Sequence, residues 1–335
     1  MNKVNNNIKF YTFIEILSTY SDENTSISIK EINYHMNNKI GASIDRRTVY
    51  SYIKDMQELG LEVSPYNEET GGYHFINHRL EEHEIRILID SVSSSKFITK
   101  KKTLELVDKL SKLNSIYIKN NLNSLVFVDD RSKSINEEIF INIDKINRAI
   151  KNKQQISFNY YDYNSKVELV PRLDLEKNIK RYIATPIATI LKNENYYLIL
   201  ADRKHNDLSN YRVDRMKNIE VIDISSRCLD DIKDCKGGFN PVIYSKKSFK
   251  MFPGEESYVE IKIKKNLLNF MIDEFGNDID IVDNSDGTYN VKFLAKIGQG
   301  LARWIFQLGK DAVVLSSNKL KEEIKHELIE MMKLY

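Results

Sequence analysis

The sequence predicts a multidomain α+β protein. Three observations carry this: a helical front closed by a hairpin, a middle rich in short strands, and a tail in the order βαββαβ. At 335 residues, and roughly 100–200 residues per domain, the chain can build two or three cores. Hydrophobic residues make up 41% and charged residues 29%, a balance that excludes disorder of the whole chain.

The elements follow in order. Phe10, Phe13, Ile14 and Leu17 recur at helical spacing in a first helix, and Ile29, Ile32 and Met36 mark a short second helix over 28–38. Gly41 breaks the pattern. A third helix opens near Asp45, whose carboxylate suits an N-cap, with Thr48 in the first turn and Gly60 at its left-handed end. Short extended runs at 61–63 and 73–76 flank a turn at 67–72, the signal of a hairpin. Together these form a first domain, 1–77.

Residues 78–135 read as a helical connector, with one stripe of Ile85, Leu88, Ile89 and Val92 and another of Leu104, Val107, Leu110 and Leu113. A helix over 136–151 opens the next domain, 136–228. Its short strands, at 156–161, 166–169, 182–191, 196–201, 209–213 and 219–224, suggest a small barrel. Residues 229–254 read as an irregular linker. In the tail, 255–335, strand 258–263 and helix 267–275 lead to strands 279–282 and 288–294 around the Asp286-Gly287 turn. Helix 298–308, strand 312–315 and a last helix, 320–334, complete a ferredoxin-like order with one extra helix.

Two places offer chemistry. On the third helix, steps of 100° per residue gather Val49, Tyr52, Ile53, Met56 and Leu59 on one side. Arg47, Tyr50, Ser51 and Lys54 fall on the other, with Arg46 free to swing outward from the first turn. A cationic face on a short third helix is helix-turn-helix geometry. Arg can reach guanine bidentately and hydroxyls can bind phosphate, while a hairpin turning at Gly71-Gly72 would lie along the backbone as a wing. The competing reading is a solvated polar face. Residues 1–77 hold seven basic and ten acidic side chains, so double-stranded DNA must be held by the local cluster and by dimerisation.

The middle domain is the basic one, with 15 basic and 11 acidic residues over 140–224. Tyr faces beside Arg and Lys suit a nucleotide or a single strand, because bases stack on aromatics and phosphates pair with cations. The competing reading makes these tyrosines core. Strand parity limits the site: Tyr196 and Tyr197 point to opposite faces, and Arg212 and Arg215 diverge unless the strand turns at Asp214.

A family resemblance adds to both. The run 44–50 (Ile-Asp-Arg-Arg-Thr-Val-Tyr), then Ile53-Lys54-Asp-Met and Gly71-Gly72-Tyr73, resembles the winged helix of DeoR-type and WYL-domain transcriptional regulators. Many members have Arg-Asp where this chain has Ser51-Tyr52. Asn195-Tyr196-Tyr197-Leu198 is similar to the Trp-Tyr-Leu signature of the WYL domain, with Tyr196 in place of Trp. The runs 181–186 and 211–216 resemble its other two blocks. The tail resembles the WCX extension, through Val313-Val314-Leu315, Leu320 and Leu334-Tyr335, with Ser316-Ser317-Asn318 where the family often has Pro.

The resemblance implies an Sm- or SH3-like barrel that senses a nucleic-acid or nucleotide-like effector, and a homodimer assisted by the tail. It adds Tyr73 to the DNA-binding residues Arg46, Arg47, Thr48, Tyr50, Ser51 and Lys54. It implies effector contacts from Tyr197, Arg212 and Arg215, with Tyr211 and Arg181 behind them. In the tail, Trp304 is expected in the core and Arg303 in solvent.

Other chemistry is not indicated. The six His and two Cys show no zinc-ligand spacing, and no phosphate-loop, dinucleotide or nucleophile-elbow motif occurs, so no metal, cofactor or enzymatic activity is expected. No apolar run approaches the roughly 18 residues that span a bilayer. With two cysteines and no signal-peptide pattern, a cytoplasmic setting is expected. Two other classes compete: an enzyme acting on nucleic acid through the barrel, and an interaction protein whose barrel binds a protein partner.

Overall fold

The computed structural model describes residues 4–76, 78, 80–124, 133–202, 207–248, 251–252 and 254–335, in two compact units, Met1–Ile135 and Asn136–Tyr335. The domain edge expected at Asn77 and the charged residues Arg203, Lys204 and His205 lie outside the described residues.

The first unit opens with α1 (Asn6–Tyr20), α2 (Ile29–Ile40) and α3 (Arg46–Glu58). Ser28 and Glu31 form a reciprocal capping box on α2, and Gly41 ends it at φ 60°. Asp45 caps α3 by accepting the Thr48 N–H at 2.8 Å. Phe13, Ile16 and Leu17 of α1, Ile32 and Met36 of α2, and Val49, Tyr52, Ile53 and Met56 of α3 close into one core. Leu59, placed on the buried side by periodicity, is 66% exposed, because α3 ends at Glu58 and the chain leaves the helical path there.

The hairpin after α3 is a set of isolated bridges, Val63 with Phe75 and Asn67 with Gly72, where continuous strands were expected. It is anchored by Tyr73, which exchanges backbone hydrogen bonds of 2.9 and 3.0 Å with Ile27. That close approach requires Gly72, since a Cβ there would stand 2.5 Å from the Ile27 carbonyl oxygen. The connector holds α4 (Glu82–Ser94), α5 (Lys100–Ser111) and α6 (Ile116–Ser124). Ile85, Ile89 and Val107 pack together, whereas Leu88, Leu104 and Leu113 of the expected stripes are exposed. The buried Asp22 carboxylate accepts the N–H groups of Asn24 and Thr25 and the Ser115 hydroxyl, joining the α1–α2 turn to the start of α6.

The second unit begins with α7 (Ile139–Lys151), whose Ile139, Ile146 and Ala149 are buried against a six-stranded sheet. Its strands are β1 (Gln154–Tyr163), β2 (Leu169–Pro171), β3 (Arg181–Lys192), β4 (Asn195–Asp202), β5 (Leu208–Arg212) and β6 (Met216–Ser225). The order is β2-β1-β3-β4-β5, with β6 also on β1. The sheet is antiparallel and open, which corrects the expected small barrel: a 3-10 turn at Val213–Arg215 carries the chain from β5 into β6, which pairs with β1 and not with β5. The second strand lies at 169–171, because Val167 has φ 62° and belongs to the preceding turn. Pro186 sits in β3 where the register with β4 shifts, a place that tolerates a missing N–H.

The described residues between 229 and 254, expected as an irregular linker, include a helix. This is α8 (Pro241–Lys247), with Asn240 as N-cap and Pro241 at its first turn, a start signal that the sequence displays. Ile232, Cys235, Tyr244 and Met251 bury against Ile199, Ala201 and Leu208 of the sheet.

The tail is β7 (Glu255–Lys264), α9 (Leu268–Phe275), β8 (Asp280–Asp283), β9 (Thr288–Ile297), α10 (Gln299–Phe306), β10 (Ala312–Val314) and α11 (Asn318–Met332). Its sheet runs β10-β7-β9-β8, with every pair antiparallel. One face buries Val259, Ile261, Ile263, Val291 and Phe293 beneath helices that supply Met271, Leu301, Trp304 and Leu320. Arg303 is exposed. No helix among the described residues is long and apolar enough to cross a membrane.

Candidate functional site

The first site is the outer face of α3. Arg46, Arg47, Tyr50, Ser51 and Lys54 are exposed and Thr48 is half-buried, on the side opposite the packed Val49, Tyr52, Ile53 and Met56. Arg46 donates from Nε and Nη2 to the Tyr50 hydroxyl at 2.9 and 2.7 Å, a pairing one helical turn apart. Lys54 stands 3.7 Å from Glu58 with both side chains in solvent, so the pair is weak and easily exchanged for another anion. Arg47 makes no ion pair among the described residues. Tyr73 is different. Its side chain is 1% exposed in the core, and burial, followed by the neighbouring Tyr50, pushes its phenol up to about 12. A ring so enclosed cannot reach a groove, which corrects its expected contact with DNA.

The second site lies where β1, β4 and β5 meet the Val213–Arg215 turn. Tyr197 and Arg212 are direct cross-strand partners, so their side chains share a face of the sheet. The turn at Asp214 reorients the chain after Arg212, the condition under which Arg212 and Arg215 can serve one site. Arg212 grips Asp214 bidentately at 3.0 and 2.7 Å, and Asp214 is only 2% exposed. The backbone N–H of Arg212 also donates to the Tyr160 hydroxyl at 3.3 Å.

Beside this pair, Arg172 donates to both oxygens of Asp162, at 2.6 and 3.2 Å, and its guanidinium lies 4.7 Å from the Tyr160 ring centre. Those hydrogen bonds, more than the charges of Arg172 and Arg215, hold the Asp162 carboxyl below its ordinary value. Arg215 approaches Asp162 to 3.9 Å and stands 5.6 Å over Tyr163. Burial raises the Tyr197 phenol, with Arg212 and Arg215 pulling the other way.

Tyr211 lies in an aromatic floor. It meets Phe158, Tyr160 and Tyr182 at centroid distances of 5.4, 4.8 and 5.6 Å, and burial pushes its phenol up to about 12. Arg181 departs from the group. Its Nη1 donates to Asn159 Oδ1 and the Asn218 carbonyl, and its Nη2 to Ser157 Oγ and the Glu220 carboxylate. It clamps β1 and β6 through both terminal nitrogens, so Arg181, expected behind the ligand-facing residues, is engaged within the sheet.

Tyr160, Asp162, Arg172 and Asp214 were missed from the sequence. A signal existed in the Tyr-rich run 160–163, whose alternate residues share a face, but its cationic partners come from other segments of the sheet. Among the described residues, no set of three His, Cys, Asp or Glu side chains gathers to hold a metal ion, and both cysteines are free.

Comparison with known proteins places two domains on this framework. Residues 142–221 match the model of the WYL domain, and residues 256–332 that of the WCX domain. Among solved structures, the chain is similar to proteasome accessory factor B/C (PafBC) of Arthrobacter aurescens at 14% identity and a TM-score of 0.28, covering 98% of this chain and 49% of that one. It is also similar to a CRISPR Cas-related protein at 16% identity and a TM-score of 0.36, covering 95% and 98%. The chain therefore spans about half the length of the first of these. No curated protein matches it.

Proposed function

Since this is a WYL-domain protein that also carries a WCX domain, we propose that it is a DNA-binding transcriptional regulator. The observation that carries this reading is the outer face of α3, where Arg47 and Lys54 stand in solvent without a strong internal partner. In it, residues 1–77 act as a winged helix-turn-helix. Arg46, Arg47, Tyr50, Ser51 and Lys54 face the major groove, with Thr48 at the helix start. Tyr197, Arg212 and Arg215, above the Tyr211 floor, bind a nucleic-acid or nucleotide-like effector. The tail, ferredoxin-like in its strand order, helps form a homodimer.

Regulation then follows from differential affinity. Effector binding favours one placement of the two α3 helices, matched or mismatched to half-sites about one helical turn apart. An effector that binds both placements equally changes nothing. The reading requires no catalytic step.

The test is a mobility shift on the DNA upstream of the protein's own gene, with and without small molecules and oligonucleotides that co-purify with it. Specific binding, lost in Arg47→Ala/Lys54→Ala, supports the regulator. Retention of a protein partner without specific DNA binding would favour an interaction protein, a reading that draws on the net negative charge of residues 1–77. Arg212→Ala/Arg215→Ala should abolish the effector response while operator binding persists. Removing the chain after Phe252 should shift sedimentation from dimer to monomer.

A further inference from the structure

A groove of ≈ 790 Å³ lies in the second unit, where α8 meets the tail, and it takes no part in the reading above. Its size is within the range of small-ligand sites, roughly 300–1,000 Å³. Ile243, Leu294, Phe275 and Tyr258 supply apolar and aromatic surface, and Tyr258 is 61% exposed, so its ring can take a partner.

The charges around it come in both signs, from different elements. Lys246 and Lys247 come from α8, and Lys292 comes from β9 with its ammonium 5.1 Å from the Tyr258 ring centre. The carboxylates of Glu274, Asp278 and Asp280 come from the end of α9 and the approach to β8. Each charge already has an opposite neighbour. Lys246 bridges to Asp278, Lys247 to Glu256 at 2.7 Å, Asp280 faces Lys292 across the strands, and Glu274 feels Lys192.

That balance selects the ligand. A polyanion would meet three carboxylates, and a cation three ammonium groups, each opposed by like charge. A molecule with one charge of each sign and an apolar body adds to both walls and covers the floor. We infer that this groove is a ligand site for zwitterions of the apolar α-amino-acid class, free or as short peptides. Lying between α8 and the tail sheet, the ligand holds the two together.

The single tryptophan reports on it. Trp304 is T-stacked on Phe275, 5.5 Å between centroids, so a ligand that touches Phe275 alters its emission. The experiment titrates the full chain with L-phenylalanine, L-leucine, a Leu-Leu dipeptide and, as the charged comparison, AMP. The expected result is a saturable change in Trp304 emission with at least one zwitterion, and an affinity at least tenfold weaker in Tyr258→Ala and Ile243→Glu. Both substitutions are at exposed positions, and unchanged circular dichroism and melting would confirm the fold. The free amino acids and the dipeptide separate the two sources of this chemistry. No saturable change up to about 10 mM, tenfold above a millimolar dissociation constant, overturns the inference. So does saturation by AMP alone, or an affinity that neither substitution alters. The site rests on observations separate from the DNA-binding reading, and its failure leaves that reading standing.

Discussion

Two groups of cations in this protein live in different surroundings. On α3, Arg47 and Lys54 project into water; Lys54 has only the exposed Glu58 at 3.7 Å, and Arg47 makes no ion pair among the described residues. At the sheet, Arg172 and Arg212 are fixed bidentately on Asp162 and Asp214, and Arg172 lies over a Tyr ring. The helix face keeps its charge available for a large polyanion that supplies its own counter-charge. The sheet site has committed part of its charge to internal order, which leaves less net charge and a better-defined shape. A surface of the first kind suits a long, uniform backbone, and one of the second kind suits a small, shaped ligand.

The comparison can be broken at either end. The largest effect is expected from Asp214→Ala, which strands the Arg212 guanidinium. Because the Arg212 side chain is 26% exposed, the loss should be about 2–3 kcal/mol, below the ~3–5 kcal/mol of a fully buried pair. Urea denaturation measures it, and a loss under ~0.5 kcal/mol would mean that the sheet cations are no more fixed than those of α3. Next, Arg47→Ala/Lys54→Ala should weaken DNA binding by about ten- to a hundredfold at ~0.15 M salt. It should make the log–log salt slope shallower by about 1.8, at ~0.9 per phosphate contact. Its melting temperature should hold, as it does for most surface changes; an unaltered salt slope would remove α3 from the interface.

A smaller loss, about 1–2 kcal/mol, is expected for Arg181→Met, which breaks the clamp between β1 and β6. Thermal unfolding checks it, and full stability would show that the clamp carries no energetic weight. The smallest effect concerns pH. Asp162 titrates below the ordinary carboxylate value in the folded chain, so its contribution is complete above that value and falls away as pH drops through the folded one. Wild type should therefore lose more stability on acidification than Asp162→Asn, which lacks the contribution at every pH. Parallel pH–stability curves would show that the Arg172–Asp162 contact is without energetic weight.

Much of α3 was legible because a helix encodes its own faces. The 100° step separates Val49, Tyr52, Ile53 and Met56 from Arg47, Tyr50, Ser51 and Lys54 without reference to the rest of the chain. It failed at Leu59, where the period was carried past the helix end; Tyr73 came from the resemblance alone, which does not register the backbone bridge to Ile27 that goes with its burial. The sheet site was harder to read. Alternation says which residues of one strand share a face, but not which strand lies next to it. Asp162 on β1 and Arg172 just past β2 are ten residues apart. Arg181 reaches Asn159 on β1, and its clamp is closed by Asn218 and Glu220 from β6. Neither contact follows from local spacing.

What the amino-acid order determined alone was local: helix phases, the Asp45 cap, the turn at Gly71-Gly72, and the βαββαβ order of the tail. What only tertiary structure decided was the open sheet, the pairing of Arg172 and Arg181 with their carboxylates, the approach of Gly72 to Ile27, and the packing of Ile232 and Tyr244 onto the sheet. The physical reason is the range of the interactions. Periodicity and capping act within a few residues, whereas these ion pairs and strand neighbours join segments ten or more residues apart, and many of their combinations satisfy the same local pattern.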